Sequence, residues 1–239
     1  MPVANAQVTP INVVGSSTFG IYPKISAEKT INMFISEGWL VNYAGYQKRR
    51  EILSGGEGRG IFHSVRDNFM IAVISSAVYK IDVNLNAVFL FNLETTHGEV
   101  SIDQNLNGQI CIVDGRDAWI YYPPSNTSAK QNLTYLSFDI EPNYVVYHNT
   151  FFLISSGRTA ENPGNWYVYE YETDTTIKLN TQRSLQTKPD TAIAVKRLPG
   201  KGNNVIVFGT SVAEVWTQVG GLENYRRVSS FNIDYGCVS

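Results

Sequence analysis

Cysteine, histidine and charged residues are scarce in this chain, and each scarcity excludes a class of protein. Only 2 of the 239 residues are cysteine, which excludes a small secreted scaffold held together by disulfides. Cys111 lies inside an apolar run, so a buried thiol is favoured over a disulfide with the distant Cys237, and synthesis in a reducing compartment fits. Lys and Arg number 19 against 21 Asp and Glu, so the chain has no strong positive field to hold nucleic acid or an anionic membrane.

Long hydrophobic runs and targeting segments are missing as well. No window approaches the roughly 18 consecutive apolar residues of a membrane span, so none is expected. The N-terminal stretch MPVANAQVTPINVVG lacks a basic region followed by an apolar one, so no secretion signal is expected. Only QKRR (47–50) is locally basic, and a solvated turn is favoured there over a phosphate contact.

The motifs that carry catalysis or metal binding are not found. His63, His97 and His148 lie far apart, outside any zinc-ligand spacing, and are predicted to be surface or strand-end residues. The stretch GGEGRG (55–60) lacks the Lys-Ser/Thr ending of a phosphate loop, and we interpret it as a flexible lead-in to a strand. The sequence therefore predicts no catalytic residue, no metal ligand and no cofactor.

Two sets of Asp, Asn and Glu residues could bind an ion or catalyse hydrolysis, or could simply form turns. Asp82, Asn84 and Asn86 alternate like the start of a calcium loop, but Ala87 replaces the turn glycine and Glu94 comes one place late, so a strand-connecting turn is favoured. The second set lies near predicted strand ends, where two members could meet across an axis as the carboxylate pair of a glycoside hydrolase. We favour the interpretation that each serves its own backbone. This set comprises Asp103, Asp114, Asp117 and Glu214.

What the chain has in quantity is typical of β-sheet. Hydrophobic residues make up 43% and aromatic residues 12%, mainly 14 Tyr and 11 Phe, which suit pleated, half-buried surfaces. A chain of 239 residues can form one large all-β domain or two ordinary ones. No stretch with a 3.6-residue apolar stripe predicts a helix.

A short, strongly apolar run recurs along the chain. The runs cover residues 71–74, 110–113, 151–154 and 205–208, at offsets of 39, 41 and 54. Periods near 40 residues are typical of stacked supersecondary units. In each unit a strand and a turn precede the run, and a turn of small residues and an aromatic strand follow it. The preceding turns carry residues that tolerate positive φ or preset a reversal, namely Asp67-Asn68, Asn107-Gly108, His148-Asn149 and 199–204.

The fold predicted from these units is all-β, a β-propeller of four-stranded antiparallel blades that bury the apolar second strand near the axis. A fourth, outer strand is expected at 87–93 and 224–232, but residues 125–132 and 173–188 blur it in the second and third units. The alternative is an antiparallel β-sandwich with coincidental spacing. The same order of strands and turns recurs in four units, which argues against a sandwich.

Two regions are predicted along the chain. Residues 1–58 form an N-terminal arm with a strand hairpin around Glu37-Gly38, placed to close the propeller by completing its last blade. Residues 59–239 form about four blades and the start of a fifth. Because the sequence stops as that fifth unit begins, we expect the propeller to be incomplete in this chain.

An ordered set of stretches resembles the packaged-DNA stabilisation proteins, the tail hub or tail accessory factors of short-tailed bacteriophages. The set runs KTINMFIS, GRGIFHS, NLNGQICIVDGRDAWIYY, KPDTAIAV and VIVFGTSVAEVWTQVGG, then YRRVSSFNIDYGC, and covers the chain from about residue 28 onward. Its most specific part comprises Phe208-Gly209, Glu214, Trp216, Gly220, Gly236 and Cys237.

The resemblance implies a structural protein of the virion tail, made in the host bacterial cytoplasm, and no enzyme. It implies a ring of copies, by analogy a hexamer, below the portal and its adaptor. Such a ring retains packaged DNA, which passes through the channel without specific binding, and docks tailspikes, tail fibres or a needle. The balanced charge suits a conduit, because a strongly basic lining would grip each phosphate.

Partner surfaces are expected in the long, irregular loops at 123–132, 157–165 and 173–188. The rival interpretation is a carbohydrate-binding or carbohydrate-active propeller, with aromatic side chains as stacking platforms. Core packing explains these aromatics without a ligand, and they are Trp119, Tyr121, Tyr122 and Trp166. A third interpretation is a protein-interaction propeller from a cellular context.

Overall fold

A computed structural model describes residues 33–36, 39–42, 48–131, 133–135, 138–156, 162–171, 177–200, 202–220 and 223–237. The chain divides into two compact units, Met1–Glu51 and Ile52–Ser239. The described residues contain no helix long and apolar enough to cross a membrane.

The first unit contains the predicted hairpin. Strand β1 (Met33–Ser36) pairs antiparallel with β2 (Trp39–Asn42), and Glu37-Gly38, where the turn is predicted, lies outside the described residues. The assignment of residues 1–58 to the closure of the propeller stays a prediction.

The described part of the second unit contains four four-stranded antiparallel sheets, each with its strands in chain order, and one two-stranded hairpin. Sheet 1 comprises β3 (Gly58–Ser64), β4 (Phe69–Ile74), β5 (Ala77–Ile81) and β6 (Ala87–Asn92). Sheet 2 comprises β7 (Ser101–Gln104), β8 (Ile110–Val113), β9 (Ala118–Tyr122) and β10 (Thr127–Gln131), and a short hairpin of β11 (Thr134–Tyr135) and β12 (Phe138–Asp139) follows it. Sheet 3 comprises β13 (Pro142–His148), β14 (Phe151–Ser156), β15 (Asn165–Tyr171) and β16 (Ile177–Ser184). Sheet 4 comprises β17 (Ala194–Arg197), β18 (Asn204–Phe208), β19 (Ala213–Gln218) and β20 (Tyr225–Ile233).

The turns between first and second strands carry the predicted backbone geometry. Asn68 (φ 52°), Gly108 (φ 93°), Asn149 (φ 56°) and Gly200 (φ 73°) supply one left-handed residue to each sheet. Asparagine and glycine tolerate this region with the least steric cost, so these residue types permit a tight reversal there.

The apolar second strands form the core because neighbouring sheets cover both of their faces. In β8, Ile110 and Ile112 pack with residues of sheet 1, whereas Cys111 and Val113 pack with residues of sheet 3. A strand covered on both faces needs apolar side chains at every position, which explains the continuous runs. Cys111 is fully buried and forms no disulfide, as predicted.

Neighbouring sheets meet through their first strands as well as through the core. Strand β3 lies beside β7, β7 beside β13, and β13 beside β17. Between β7 and β13, Tyr147 N donates to Asp103 Oδ2 at 2.7 Å and Val145 N donates to Ser101 Oγ at 3.2 Å. The first strands therefore join neighbouring sheets directly, beside the buried second strands.

The outer strand of every sheet is formed, with a register shift in sheets 1, 3 and 4, and this corrects the predicted loops. Residues 127–131 and 177–184, expected to be irregular, form β10 and β16. β10 pairs with β9 over five residue pairs, and β16 pairs with β15 with one register shift. An outer strand is held by main-chain hydrogen bonds on one edge and needs no alternating apolar pattern. A polar sequence can therefore form such a strand without being recognisable as one.

Four separate sheets that succeed one another in chain order define a β-propeller, and the alternative of a two-sheet sandwich is rejected.

Candidate functional site

The three histidines lie apart, and the one that is buried links two sheets. His63 and His97 are exposed, and His97 Nδ1 lies 2.9 Å from Glu57 Oε2. His148 is 3% exposed at the end of β13, so the strand-end prediction is correct for it although it is not at the surface. Among the described residues no three His, Cys, Asp or Glu side chains are grouped to hold a metal ion.

Burial, with a further contribution from the positive charge of Arg197, lowers the pKa of His148 against the opposing effect of the Gly202 carbonyl. His148 Nε2 lies 2.9 Å from that carbonyl, which can only accept, so the neutral ring carries its proton on Nε2. Nδ1 then accepts from the Tyr225 hydroxyl at 2.6 Å. The side chain thus ties sheet 3 to two parts of sheet 4.

Three of the four carboxylates singled out by sequence bind backbone or neighbouring side chains. Asp114 Oδ1 accepts from the N–H groups of Arg116 and Asp117 at 3.1 and 2.7 Å, as expected of a turn aspartate. Asp117 Oδ1 lies 3.0 Å from Lys130 Nζ. Asp103 belongs to β7 and accepts from Tyr147, so it holds two first strands together.

The calcium-like stretch is a closed turn, as predicted. Asp82 Oδ1 accepts from the N–H groups of Asn84 and Asn86 at 2.9 and 2.7 Å, and its other oxygen accepts from Asn86 Nδ2 at 2.9 Å. The glycine-rich stretch 55–60 leads into β3, which begins at Gly58. Within the basic stretch, residues 48–50 are described and are exposed.

The aromatics proposed as sugar platforms belong mainly to the protein interior. Trp166 and Tyr121 are 0% and 1% exposed. Trp119 is half-buried and stacks on Phe91 with ring centroids 4.9 Å apart. Tyr122 is half-buried at the end of β9. This placement supports core packing as the role of Trp166, Tyr121 and Trp119.

The fourth carboxylate, Glu214, is the centre of a junction between sheets 3 and 4. It is 0% exposed in β19, opposite Val207 of β18. Its Oε1 accepts from the N–H groups of Gln186 and Thr187, at 2.8 and 2.5 Å, in the segment that connects the two sheets. Its Oε2 accepts from Trp216 Nε1 at 3.1 Å. Because a buried charge is tolerated only when it is hydrogen-bonded, Glu214 fixes the path of the connecting segment.

Asp190, in the same connecting segment, holds the turn between β18 and β19. Its Oδ2 accepts from the N–H groups of Ser211 and Val212 at 2.8 and 3.1 Å, and its Oδ1 accepts from that of Thr210 at 3.1 Å. Burial raises the pKa of Asp190, but the hydrogen bonds from Thr210, Ser211 and Thr191 outweigh it and lower the pKa to about 2. The turn therefore binds the carboxylate in its ionised form.

Two glycines of this junction permit contacts that a Cβ would block. A Cβ on Gly209 would lie 2.4 Å from Asp190 Oδ2, and a Cβ on Gly236 would lie 2.1 Å from the carbonyl carbon of Thr210. Cys237 N donates to Gly209 O at 2.8 Å. Most of the residues that carry the most specific part of the resemblance therefore build one structural unit, which we call the sheet 3–4 junction: 185–193, 209–216 and 236–237. Phe208 and Gly220 lie outside it.

Sequence reasoning missed the corresponding residue between sheets 1 and 2. Arg59 is 6% exposed in β3, and it donates to the carbonyl oxygens of Ser75, Thr95 and Gly98 at 2.9, 2.8 and 2.8 Å. It also donates to Thr95 Oγ1 at 2.8 Å, and that hydroxyl donates to Asp114. The only signal was its place in the stretch GRGIFHS of the resemblance, because backbone partners leave no side-chain motif.

The described fold defines the class of this protein as a β-propeller built of four-stranded antiparallel sheets. The family model described as bacteriophage P22 Gp10, beta-propeller, matches residues 23–239, and the chain belongs to that family. This is a family of phage structural proteins that stabilise packaged DNA, which places its members in the virion. The resemblance stated from the sequence is thereby confirmed.

Solved structures share the fold at low identity. A catalytically inactive virginiamycin B lyase from Staphylococcus aureus with quinupristin is 11% identical, with a TM-score of 0.52 over 73% of this chain and 57% of that chain. A streptogramin B lyase is 13% identical, with a TM-score of 0.50 over 72% and 54%. A functionally unknown protein from Desulfotomaculum acetoxidans is 11% identical, with a TM-score of 0.56 over 77% and 58%.

These likenesses show the fold alone. The matches cover between 54% and 58% of the length of the three solved chains. No curated protein matches the chain.

Proposed function

We propose that this protein is a non-enzymatic hub or nozzle of the phage tail, which assembles as a ring of copies, by analogy six, below the portal and its adaptor. The family match over residues 23–239 carries the proposal. The ring retains the packaged DNA, lets it pass at ejection, and docks tailspikes, tail fibres or a needle.

The physical basis is a rigid scaffold that is stiffened at every sheet-to-sheet contact. Three apolar clusters alternate with the four sheets, one between each neighbouring pair. Buried polar side chains at the same contacts fix the connecting segments, as Arg59 and Glu214 do. A rigid subunit loses little conformational entropy on assembly, which favours a closed ring built from weak, repeated head-to-tail contacts.

The charge of the chain supports a passive conduit. A formal net charge of -2 over 239 residues gives no overall attraction to the DNA backbone. Of the three segments predicted as partner loops, 127–131 and 177–184 form outer strands, and the partner contact is therefore assigned to the first segment, 123–132. In this segment, the turn at 123–126 is the described part that precedes β10, and Ser125 is exposed there.

Electron microscopy of a reconstituted complex tests the proposal. The purified protein is mixed with portal–adaptor complex and imaged in negative stain, and ring density is expected at the tail end of the adaptor. Absence of added density, together with saccharide binding by the free protein, would reject the hub in favour of the carbohydrate-binding alternative.

A pair of matched variants locates the contact. Ser125→Trp adds a bulky side chain to the turn between the third and fourth strands of sheet 2, and Asn84→Trp does so in the equivalent turn of sheet 1. Both positions are exposed. If 123–126 meets a partner, Ser125→Trp weakens ring formation while Asn84→Trp does not, and equal behaviour of the two rejects that contact.

A further inference from the structure

A cleft between the outer strands of sheets 3 and 4 brings arginine side chains together. It has a volume of about 360 Å³ and is lined by Arg183, Gln186, Trp216, Glu223, Tyr225, Arg226, Arg227 and Ser229. Arg183 belongs to β16, and Arg226 and Arg227 belong to β20. The cleft lies between two sheets of the second unit, at their outer edge.

The strand register makes two of these arginines face each other. Arg183 is paired with Trp166 across β15 and β16, and Arg227 is paired with Trp216 across β19 and β20. Directly opposed residues of an antiparallel pair point to the same face of the sheet. Trp166 and Trp216 pack against each other between the two sheets, with ring centroids 5.2 Å apart, so each arginine points into the same space.

Contacts across the cleft confirm this approach. Arg183 Nε donates to the carbonyl oxygen of Tyr225 at 3.1 Å, and Arg227 donates to Thr187 Oγ1 at 3.0 Å. Each guanidinium therefore reaches an element of the opposite side through a neutral oxygen. Arg226 lies at the rim, where its guanidinium contacts Glu223 Oε2 at 2.8 Å.

Converging guanidinium groups beside aromatic side chains are suited to an anionic ligand. The planar fork of arginine binds carboxylate and phosphate with two parallel hydrogen bonds. Arginine, tryptophan and tyrosine are also the residues most enriched at the energetic centres of protein interfaces. The cleft combines all three types, although Trp216 and Tyr225 are 1% and 2% exposed and form its floor, so the arginines supply the accessible contacts.

We propose that this cleft binds an acidic peptide segment of a partner protein, through one or two carboxylates seated between Arg183 and Arg227. A protein carboxylate is favoured over a nucleic acid because Glu223 lines the cleft and Glu214 lies buried beside it. A DNA backbone would bring a row of phosphates toward these two carboxylates and toward a chain of net charge -2. The inference rests on the proposed docking function and assigns it one surface.

The competing explanation is that the arginines only balance the charge of Glu214. In that case they would contribute to stability and to nothing else. Binding and stability must therefore be measured on the same variants.

Fluorescence anisotropy with a fluorescein-labelled hexaglutamate peptide tests the site on the purified chain. Labelled hexalysine and a labelled 20-nucleotide DNA are the comparison probes. We expect hexaglutamate to bind best, and the double variant Arg183→Gln/Arg227→Gln to weaken it by about tenfold or more. Arg183→Lys/Arg227→Lys keeps both positive charges but loses the planar guanidinium groups, so we expect an intermediate loss of affinity for hexaglutamate, about threefold.

The matched control is Arg116→Gln, which removes an exposed arginine that contacts Asp117 and Glu94 away from the cleft. It should leave hexaglutamate binding unchanged. Four results overturn the proposal: no binding by the native chain, equal binding by the double glutamine variant, loss of thermal stability with unchanged binding, or preferred binding of the DNA that the double variant abolishes. Ring density on the portal adaptor alongside any of these would leave the hub function intact.

Discussion

Sheets 1 and 2 meet through an apolar cluster and a buried arginine, whereas sheets 3 and 4 meet through an apolar cluster and a buried glutamate. Arg59 donates to two carbonyl oxygens of the segment 93–100, and Glu214 accepts from two N–H groups of the segment 185–193. A connecting segment offers both backbone donors and backbone acceptors, so a side chain of either charge can hold it. The buried side chain at such a contact can therefore be positive or negative, provided that hydrogen bonds satisfy its charge.

The two junctions differ in how many further groups support the charge. At the sheet 3–4 junction a second carboxylate, Asp190, binds three consecutive N–H groups of the next turn, and Gly236 packs on that turn. At the other junction Arg59 donates to the Thr95 hydroxyl, which in turn donates to the carboxylate of Asp114. The apolar clusters are what the two contacts share, and they should carry the larger part of the stability.

The largest effect is expected when a charge enters either apolar cluster. Ile112 and Val207 are both 0% exposed, one in each cluster. Ile112→Asp or Val207→Asp buries an unpaired carboxylate, which costs several kcal/mol against a total stability of about 5 to 15 kcal/mol. No soluble folded protein should be recovered, as judged by the soluble fraction and by circular dichroism.

The control for these changes is Ile61→Asp. Ile61 belongs to β3 and is 72% exposed, so its replacement should leave folding intact. A soluble, well-folded Ile112→Asp protein would contradict the assignment of the second strand to the core.

The second effect concerns the buried charges themselves. Arg59→Met leaves backbone carbonyl oxygens without their hydrogen-bond donor. Glu214→Gln places an amide N–H₂ among N–H groups that need an acceptor, so at least one of those hydrogen bonds is lost. We expect each variant to lose about 2 to 4 kcal/mol of the free energy of unfolding in urea. Losses of similar size would establish that the two junctions are equivalent, and a loss below about 0.5 kcal/mol for either would show that its charge is dispensable.

The sequence predicted the apolar part of each junction and not the polar part, for a physical reason. The four apolar runs are visible because a strand covered on both faces has no polar position. The sequence favours a role for Glu214 in binding its own backbone over a catalytic role, and only the structure shows that its backbone partners lie in the segment between sheets 3 and 4. Arg59 and Asp190 gave no signal of their own, since their partners include backbone atoms far away in the sequence. Strands β10 and β16 were hidden because their stabilising bonds are also backbone bonds.

The third effect is a difference in stability between alanine substitutions at Gly236 and at Gly220, two glycines that carry the resemblance. A Cβ on Gly236 would lie within 2.3 Å of backbone atoms of both Thr210 and Ser211, whereas a Cβ on Gly220 would meet nothing within 4 Å. Backbone cannot move aside as a flexible side chain does, so Gly236→Ala should release the segment 234–237 and lower stability by about 1 to 2 kcal/mol. Limited proteolysis of this segment and urea unfolding measure the two effects.

Gly220→Ala should stay within about 0.5 kcal/mol of the native protein and keep its resistance to proteolysis. If both alanine variants behave alike, the contact of Gly236 with the turn contributes nothing to the junction.

The smallest effect is the pH dependence that Asp190 gives to the sheet 3–4 junction. Its pKa is lowered from 3.8 in the unfolded reference to about 2 in the folded protein. A lowered pKa stabilises the folded state at pH values above the unfolded pKa, and this contribution is lost as the pH falls from about 4 to about 2. Asp190 is partly exposed, so solvent screening reduces the contribution to on the order of 1 kcal/mol. Urea unfolding at pH 5, 4, 3 and 2 should therefore show a stability gap between the native protein and Asp190→Asn that narrows across this interval. A gap that stays constant down to pH 2 would mean that the turn 210–212 is held by the shape of the side chain and not by its charge.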